Sequence, residues 1–378
     1  MRVLVLNPEY PPLGGGAANA TAYLLRELSK HKNISVDLVT ASVDGERTEQ
    51  LSDNITLHFL DIKKEGSLHY YTNRQLLRYR QLALLKSRQL HTQKPFDLVH
   101  AFFGIPSGVI AKQLHIPYIV SLRGSDVPYY NPRFRLADRL FFKHLSRYVW
   151  KHANYVVANS QQLADLAGRT SPNLKIPVIR NGVDITEFTP AAEEPSTDTF
   201  NILCVSRLVG RKGIDRLIEA VATISKTHPQ VQLSLAGDGN IKNQLEHQAK
   251  QLNVSDRVKF LGAIDHATLP NLYQQSHLFV LPSRNEGMSN TALEALASGL
   301  PLILTDTGGA AELTQGNGKT VPIDDQIALV EAIKEIMVDT TLRQSLRTSS
   351  RKKSEQYAWS AMADSYINLY ELVVSPPR

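Results

Sequence analysis

The chain has 378 residues, of which 42% are apolar and 21% are charged, with 21 Gly and 19 Pro. This composition is that of an ordinary globular protein and excludes a fibrous or largely disordered chain. The length exceeds what one hydrophobic core usually supports, so we expect two domains. The longest apolar runs are far shorter than the roughly 20 residues of a membrane-spanning helix, so we expect no such helix.

The N-terminus and the cysteine content indicate the compartment. The chain begins Met-Arg-Val-Leu-Val-Leu-Asn-Pro, a strand-like pattern that lacks the long apolar region and the cleavage site of a secretory signal. A single cysteine, Cys204, cannot form an internal disulfide, which fits a reducing compartment. We therefore expect a cytoplasmic protein and interpret Cys204 as a small strand residue without a catalytic role.

Charge is distributed unevenly along the chain. Residues 1–180 contain 24 Lys and Arg against 13 Asp and Glu, a net charge of +11. Residues 181–378 contain 18 against 23, a net charge of −5. A basic first half predicts contact with something anionic: a membrane surface, a phosphorylated acceptor or nucleic acid.

Short β-branched apolar runs alternate with helical patterns along the chain. In the first half the predicted strands are residues 3–6, 35–40, 97–101, 118–122 and 155–158. The pattern resumes after residue 190 with predicted strands at 200–205, 231–235, 259–261, 277–281 and 302–304. Such alternation is typical of parallel sheets covered by helices on both faces. We therefore predict an α/β protein with two Rossmann-like, doubly wound domains.

A stretch rich in Pro, Ala, Ser and Glu, residues 189–199, contains no helical pattern and is predicted to be a linker. The N-terminal domain would then span 1–188 and the C-terminal domain 200–356. Helices are predicted near the C-terminus at 324–338, 341–354 and 359–374. We expect the last of them to join the N-terminal domain.

The most specific motif is residues 283–301, Ser-Arg-Asn-Glu-Gly-Met-Ser-Asn-Thr-Ala-Leu-Glu-Ala-Leu-Ala-Ser-Gly-Leu-Pro, directly after a predicted strand. Glu286 precedes a helix that opens near Ser289, and Glu294 lies within it. The two carboxylates can accept hydrogen bonds from ribose and hexose hydroxyls. Free backbone N–H groups at the start of the helix suit a diphosphate. The residues of this predicted donor-binding turn are Gly287, Met288, Ser289 and Asn290.

This motif resembles that of the retaining, metal-independent glycosyltransferases of family GT4, whose hallmark is Glu-x7-Glu, and the resemblance covers essentially the whole chain. It implies the GT-B fold, in which two Rossmann-like domains face a central cleft and the C-terminal domain holds the donor. It also implies that Glu286 contacts the transferred sugar and Glu294 the ribose. An N-capped helix with two surface carboxylates is the structural alternative.

A second motif, residues 205–213, joins a predicted strand to a helix that begins near Gly213. The loop of this motif contains Arg207 and Lys212. Fixed cations at the carboxyl edge of a strand can stabilise the negative charge of a departing phosphate. The resemblance assigns Arg207 and Lys212 this role, and a solvated basic loop is the alternative. There is no Asp-x-Asp pair and no metal-ligand spacing in the sequence, so we expect neither a metal nor a cofactor.

Three glycines, Gly14, Gly15 and Gly16, join the first strand to a helix predicted to reach Leu28. Glycines let a backbone approach a ligand closely. Asn19 occupies the third glycine position of Gly-x-Gly-x-x-Gly, which disfavours a nicotinamide-binding site. The resemblance implies that the loop, through Gly15 and Gly16, faces the donor phosphates and the acceptor. A flexible turn is the alternative.

One segment departs from the family pattern. Many relatives carry a histidine in Thr/Ser-x-His-Gly-x-Asp, whereas residues 121–126 read Ser-Leu-Arg-Gly-Ser-Asp. We place Arg123 and Asp126 on the acceptor side and interpret Arg123 as a residue that grips a phosphate or carboxylate. His100, at the end of a predicted strand, is also placed on the acceptor side, although a structural role is equally open.

Residues 132–152 form a predicted helix with basic side chains at intervals of four, beside an apolar face of Phe134, Ala137, Phe141, Leu145 and Tyr148. The basic residues are Arg135, Arg139, Lys143, Arg147 and Lys151. This pattern suits a helix lying on anionic lipid, and many members of the resembled family act on lipid-linked acceptors. A core-packed helix with a solvated charged side is equally open. Nucleic acid is disfavoured as a partner because no recognised binding module is present.

Together these features predict transfer of a hexose-type unit from a nucleoside diphosphate sugar, most simply UDP- or GDP-linked, to a hydroxyl acceptor. The acceptor would be a glycolipid, a polysaccharide or another glycan precursor, and the resemblance implies retention of configuration. We expect the enzyme in the cytoplasm, peripheral on the cytoplasmic face of the membrane. The alternatives are a GT-B-like nucleotide-sugar epimerase or phosphorylase, and a non-catalytic module that binds sugar nucleotides or membranes.

Overall fold

A computed structural model describes residues 1–66, 68, 70–131, 134–196 and 198–375. Thr197 of the predicted linker and Pro132, where the predicted basic helix begins, lie outside the described residues. The chain divides into two compact units. Unit 1 comprises Met1–Asn181 and Trp359–Arg378, and unit 2 comprises Gly182–Ala358.

Unit 1 is built on a seven-stranded sheet with the order β3–β4–β2–β1–β5–β6–β7. Its strands are β1 (Arg2–Leu6), β2 (Ser35–Ser42), β3 (Arg47–Ser52), β4 (Ile55–Asp61), β5 (Leu98–Phe102), β6 (Tyr118–Leu122) and β7 (Tyr155–Ala158). β3 pairs antiparallel with β4, whereas β1, β2 and β4–β7 pair in parallel. The central strands β5 and β6 are buried along their whole length, which explains their continuous apolar sequences.

Helices cover both faces of this sheet. They are α1 (Gly16–Leu28), α2 (Asn73–Gln93), α3 (Val109–Leu114), α4 (Arg135–Ala137), α5 (Lys143–His152), α6 (Gln161–Thr170) and α14 (Trp359–Val374). α1 and α14 share one apolar cluster, where the rings of Tyr23 and Trp359 stack 4.5 Å apart. α2, α3, α5 and α6 share the cluster on the opposite face. The C-terminal helix is therefore part of the core of unit 1.

Unit 2 has a six-stranded parallel sheet with the order β10–β9–β8–β11–β12–β13. Its strands are β8 (Phe200–Val205), β9 (Val231–Ala236), β10 (Val258–Gly262), β11 (Leu278–Leu281), β12 (Leu302–Thr305) and β13 (Gly318–Val321). Its helices are α7 (Ile214–Ser225), α8 (Lys242–Gln251), α9 (Leu269–Gln274), α10 (Asn290–Ala297), α11 (Ala310–Thr314), α12 (Gln326–Val338) and α13 (Thr340–Ser354). Apolar residues from both faces of the sheet form its core.

The strand order of each sheet reverses once, and this reversal locates a crevice. In unit 2 the chain runs from β8 outward to β9 and β10 and then returns to β11 on the other side of β8. The loops that follow β8 and β11 therefore diverge at the carboxyl edge of the sheet, which is where open α/β sheets bind ligands. The corresponding reversal in unit 1 lies between β1 and β5.

The prediction of an α/β protein with two doubly wound sheets is confirmed. The domain boundary was predicted too late, because the units meet at Asn181 and Gly182 and not within residues 189–199. The predicted linker instead packs on unit 2 through polar contacts. Gln274 Nε2 donates to the Thr189 carbonyl at 3.0 Å, and Arg343 Nε donates to Glu194 at 2.6 Å.

The predicted basic helix is also more complex than its sequence pattern indicated. α4 leads into a wider π-type turn, Asp138–Phe142, before α5 begins. The five basic residues are therefore divided among α4, this turn and α5, and do not lie on the one regular helix that was predicted.

Candidate active site

Lys212 and Glu286 form an ion pair where the strand order of unit 2 reverses. Lys212 ends the 3-10 turn Gly210–Lys212 after β8, and Glu286 lies between β11 and α10. Lys212 Nζ donates to Glu286 Oε2, and the two side chains are only 11% and 18% exposed. Burial alone would raise the pKa of Glu286, but the charges of Lys212 and Arg211 outweigh it and hold that pKa below its ordinary value. Glu286 is therefore an anion at neutral pH.

Two glycines allow the loops around this pair to approach one another. Gly213 has a φ of +65°, and a Cβ there would lie 2.0 Å from the carbonyl oxygen of Pro282. Gly308 has a φ of +52°, and a Cβ there would lie 1.8 Å from the carbonyl oxygen of Gly287. A side chain at either position would force the loops apart. Glycine at 213 thus lets the loops after β8 and β11 approach, and glycine at 308 does the same for the loops after β11 and β12.

The start of α10 lies immediately after Glu286. The Ser289 hydroxyl caps this helix by accepting the Ala292 N–H at 3.3 Å. The Met288 side chain is buried in the apolar core of unit 2 and anchors the turn. The other N–H groups of a first helical turn have no partner within the helix, and the helix dipole makes this end positive. The turn from Gly287 to Asn290 therefore offers a site for an anion beside Lys212.

Glu294 lies within α10 and is held from two sides. The Tyr273 hydroxyl donates to its Oε2 at 2.8 Å. His266 Nε2 lies 3.9 Å from its Oε1, while His266 Nδ1 lies 3.2 Å from Glu187. Glu294 and Glu187 together raise the pKa of His266 above its ordinary value. The Glu294 carboxylate is thus fixed and is 8% exposed.

Arg207 lies in the loop that also carries Lys212. Its carbonyl accepts the N–H of Val209 at 2.9 Å, within the turn that leads to Gly210. Arg207 as a whole is half-buried and lies at the carboxyl edge of β8. Arg207, Lys212, Glu286 and the start of α10 thus lie in the loops at the carboxyl edge of the unit 2 sheet, and their roles toward a donor stay predictions.

The glycine loop of unit 1 lies at the carboxyl end of β1, beside the strand-order reversal of that unit. Gly15 and Gly16 are exposed, and a Cβ added to Gly15 would meet no atom within 4 Å. α1 begins at Gly16. The backbone of this loop is therefore open to a ligand, and its contact with a donor or an acceptor stays a prediction.

His100 is fully buried within unit 1. Its Nδ1 lies 2.7 Å from the Tyr370 hydroxyl, and its Nε2 lies 2.7 Å from the Ser121 hydroxyl. The Ser121 hydroxyl in turn lies 2.9 Å from that of Tyr366. Burial lowers the pKa of His100 well below its ordinary value, so the ring is neutral. This geometry gives His100 a structural role that ties β5 and β6 to α14, and a contact with an acceptor stays a prediction.

Arg123 and Asp126 also have partners within unit 1. Arg123 Nη1 donates to Asn181 Oδ1 at 2.8 Å, and its Nη2 donates to the Tyr366 hydroxyl at 3.2 Å. The guanidinium lies 4.4 Å from the centre of the Phe102 ring. Asp126 accepts the N–H of Gly104 at 2.7 Å and that of Arg123 at 2.9 Å. Both residues organise the loop after β6, and their proposed roles toward a ligand stay predictions.

Two residues of the site were missed by the sequence patterns. Arg284 lies inside the recognised motif but carried no assigned role, although it contacts the loop after β8. Tyr273 carried no assigned role either, and its contact with Glu294 joins positions 21 residues apart. Within the described ranges, no group of three His, Cys, Asp or Glu side chains could hold a metal ion. No helix in the described part of the chain is long and apolar enough to cross a membrane.

Two family profiles match successive parts of the chain. The profile "Glycosyltransferase Family 4" matches residues 14–187, and "Glycosyl transferases group 1" matches residues 186–353. The chain belongs to the group 1, family 4 glycosyltransferases. A glycogen synthase of Mycobacterium tuberculosis is 26% identical over 398 aligned positions, covering 98% of this glycosyltransferase and 94% of the relative.

A second relative and a solved structure extend this comparison. The GDP-mannose-dependent monoacylated alpha-(1-6)-phosphatidylinositol monomannoside mannosyltransferase of Corynebacterium glutamicum is 33% identical over 217 positions, covering 52% of this chain and 56% of that protein. The sucrose-phosphate synthase of Thermosynechococcus elongatus superposes with a TM-score of 0.86 at 23% identity and covers 100% of both chains. The family resemblance and the expected GT-B fold class are therefore confirmed.

Proposed function

We propose that this glycosyltransferase transfers a hexose-type unit from a nucleoside diphosphate sugar to a hydroxyl acceptor with retention of configuration, and that unit 2 holds the donor. The observation that carries the proposal is the Lys212–Glu286 ion pair beside the start of α10. A cation, a carboxylate and a helix N-terminus together match a diphosphate linked to a sugar. The name of the Corynebacterium relative, which specifies GDP-mannose, supports this class of donor.

Each residue of the site would act on a different part of the donor. The diphosphate would bind at the start of α10 within reach of Lys212 and Arg207. As the glycosidic bond breaks, negative charge grows on the departing phosphate oxygen, and these fixed cations would stabilise it. The Glu286 carboxylate would accept hydrogen bonds from sugar hydroxyls and orient the sugar. Glu294 would accept hydrogen bonds from the ribose hydroxyls, while the Tyr273 hydroxyl, which donates to its Oε2, holds the carboxylate in place.

We further propose that unit 1 receives the acceptor. The open backbone at Gly15 and Gly16 supports this, because the loop lies at the strand-order reversal of unit 1. The buried polar network around His100 and Arg123 would shape that region from within. An epimerase would need no acceptor at all, so the requirement for an acceptor separates the two proposals.

The first prediction concerns three charged residues of unit 2. We expect Glu286→Gln, Lys212→Ala and Arg207→Ala each to lower kcat by roughly 100-fold or more, because each removes one preorganised charge interaction. The matched control is Glu246→Gln on α8, where a 40% exposed carboxylate faces Lys242. The assay measures nucleotide release from UDP-, GDP- and ADP-sugars with and without a membrane extract. Normal turnover in a folded variant would remove that residue from the mechanism.

A second prediction follows from the proposed use of protein cations in place of a metal. We expect turnover to be unchanged after dialysis against EDTA, because Lys212, Arg207 and the start of α10 supply the positive charge. The measurement is the initial rate before dialysis, after dialysis and after metal is added back. Loss of activity that Mg²⁺ or Mn²⁺ restores would contradict the metal-free proposal.

We also propose that unit 1 rests on an anionic membrane surface through the segment from Phe134 to His152. The side of this segment that faces the core contains Ser146, Val149 and Trp150. Its other side exposes large apolar side chains: Phe134 53%, Leu136 72%, Leu140 65%, Phe141 73% and Tyr148 54%. Exposed apolar side chains among basic residues are typical of a helix at a membrane interface. The named acceptor of the Corynebacterium relative is a phosphatidylinositol derivative, which supports a lipid-linked acceptor here.

Helix α2 adds a second basic and apolar element to the same face of the unit 1 sheet, because both α2 and α5 pack in the cluster that contains α3. Residues 66–96 contain six Lys and Arg and no Asp or Glu. One stripe of α2 is exposed and consists of Arg74, Leu77, Arg78, Gln81, Leu85 and Arg88. The basic charge of the first half is thus concentrated beside exposed apolar side chains, as contact with anionic lipid requires.

A third prediction tests this surface with charge reversals. The triple variant Arg135→Glu, Arg139→Glu and Lys151→Glu should abolish sedimentation with phosphatidylserine vesicles, because each cation near the surface contributes about 1 kcal/mol. Arg147 is left unchanged because its Nε donates to the Thr170 carbonyl within unit 1. The control reverses three exposed lysines of unit 2: Lys226, Lys250 and Lys352.

Binding should weaken as salt is added, and nucleotide binding should survive in both triple variants. If the wild-type protein does not sediment with these vesicles at low salt, the membrane proposal is wrong. If the two triple variants lose sedimentation equally, the attraction depends on total charge and not on this surface. An acidic soluble acceptor would then explain the basic first half.

A further inference from the structure

Arg284 contacts the loop that carries Lys212 at several points. Its guanidinium binds Asp215 in a bidentate manner, with Nη1 at 3.0 Å from Oδ1 and Nη2 at 2.6 Å from Oδ2. Nη1 also donates to the Gly210 carbonyl at 2.7 Å, and Nε donates to Asp324 at 2.8 Å. The backbone N–H of Arg284 donates to the Arg211 carbonyl at 2.8 Å. Arg284 therefore binds two backbone carbonyls of the loop after β8, one carboxylate on α7 and one carboxylate after β13.

These contacts lie on both sides of Lys212 in the chain. The Gly210 and Arg211 carbonyls precede it, and Asp215 follows it in the first turn of α7. Arg284 itself lies two residues before Glu286, in the loop after β11. One side chain thus joins the loop of the ion-pair cation to the loop of the ion-pair anion.

A guanidinium suits this task because its planar fork can bind a carboxylate and a carbonyl at fixed angles. A lysine at the same position would keep the positive charge but would bind as a single flexible point. Asp215 and Asp324 offset the charge of Arg284 and raise its pKa. Arg284 consequently has its positive charge neutralised by the protein and is 30% exposed.

We propose that Arg284 is a positioning residue that sets the place of Lys212 for the departing diphosphate. The proposal rests on the function proposed above. Arg284 acts through Lys212, so its loss should affect the transition state more than donor binding. Glu294, which would hold the ribose, is fixed by Tyr273 and does not depend on Arg284. The expected signature is a lower kcat with a donor KM that is nearly unchanged.

The test compares Arg284→Lys with Arg216→Lys. Arg216 lies on α7 and also binds Asp324, at 3.4 Å, but its closer partner is Glu219 at 3.0 Å, away from the Lys212 loop. We expect Arg284→Lys to lower kcat by roughly 10- to 100-fold, since small misplacements of catalytic groups have effects of this size. Arg216→Lys should remain within about twofold of the wild type, as a surface change does. Urea unfolding of each variant measures its stability.

Asp215→Asn provides a second route if Arg284→Lys does not fold, because it weakens the bidentate contact while leaving Arg284 in place. It should lower kcat by a smaller factor than Arg284→Lys. Wild-type kcat from a folded Arg284→Lys or Asp215→Asn variant overturns the positioning role, as does an equal loss of kcat in Arg216→Lys. A wild-type protein that releases nucleotide from no donor tested overturns the proposed function itself, and the positioning role with it.

Discussion

The ion pair between Lys212 and Glu286 is the interaction on which the candidate site of unit 2 depends. Removing one partner of a buried pair typically costs about 3–5 kcal/mol, because the other charge loses its compensation. The pair therefore favours the arrangement in which the loops after β8 and β11 are in contact. That arrangement in turn requires glycine at 213, since any larger residue would collide with the Pro282 carbonyl. In the proposed function a bound diphosphate would share Lys212 with Glu286, and the pair would hold the cation in place for the leaving group.

The two units contribute different kinds of polar chemistry. In unit 2, charged side chains meet at the edge of the sheet, beside a helix N-terminus where a ligand can reach them. In unit 1, His100, Ser121 and Tyr366 bond one another inside the fold, and Arg123 extends this chain of contacts to Asn181. The first arrangement suits catalysis, and the second stabilises the connection between α14 and the sheet. Because α14 follows unit 2 in the sequence, the core of unit 1 contains residues from both ends of the chain.

Much of this architecture was predictable from sequence, for a physical reason. Strands buried on both faces are continuous apolar runs, so β5 and β6 were identified to within one or two residues. The strand Arg47–Ser52 was missed because it is polar and largely exposed and lies at the edge of the sheet, paired with β4 alone. The contacts of Arg284 and Tyr273 join distant parts of the chain, so local spacing could not show them. The local motifs did place Lys212 and Glu286 in the loops after β8 and β11, because each loop follows a strand that the apolar pattern predicted.

The most direct test of the account is the affinity of the full chain for a nucleoside diphosphate compared with the monophosphate, measured by titration calorimetry. If Lys212 contacts the terminal phosphate, the wild-type protein should prefer UDP to UMP, or GDP to GMP. Lys212→Ala should lose about tenfold or more of that preference, the value of one charge-assisted hydrogen bond, while its affinity for the monophosphate stays unchanged. Full diphosphate preference in Lys212→Ala, or none in the wild type, would contradict the assignment of this ion pair to the donor.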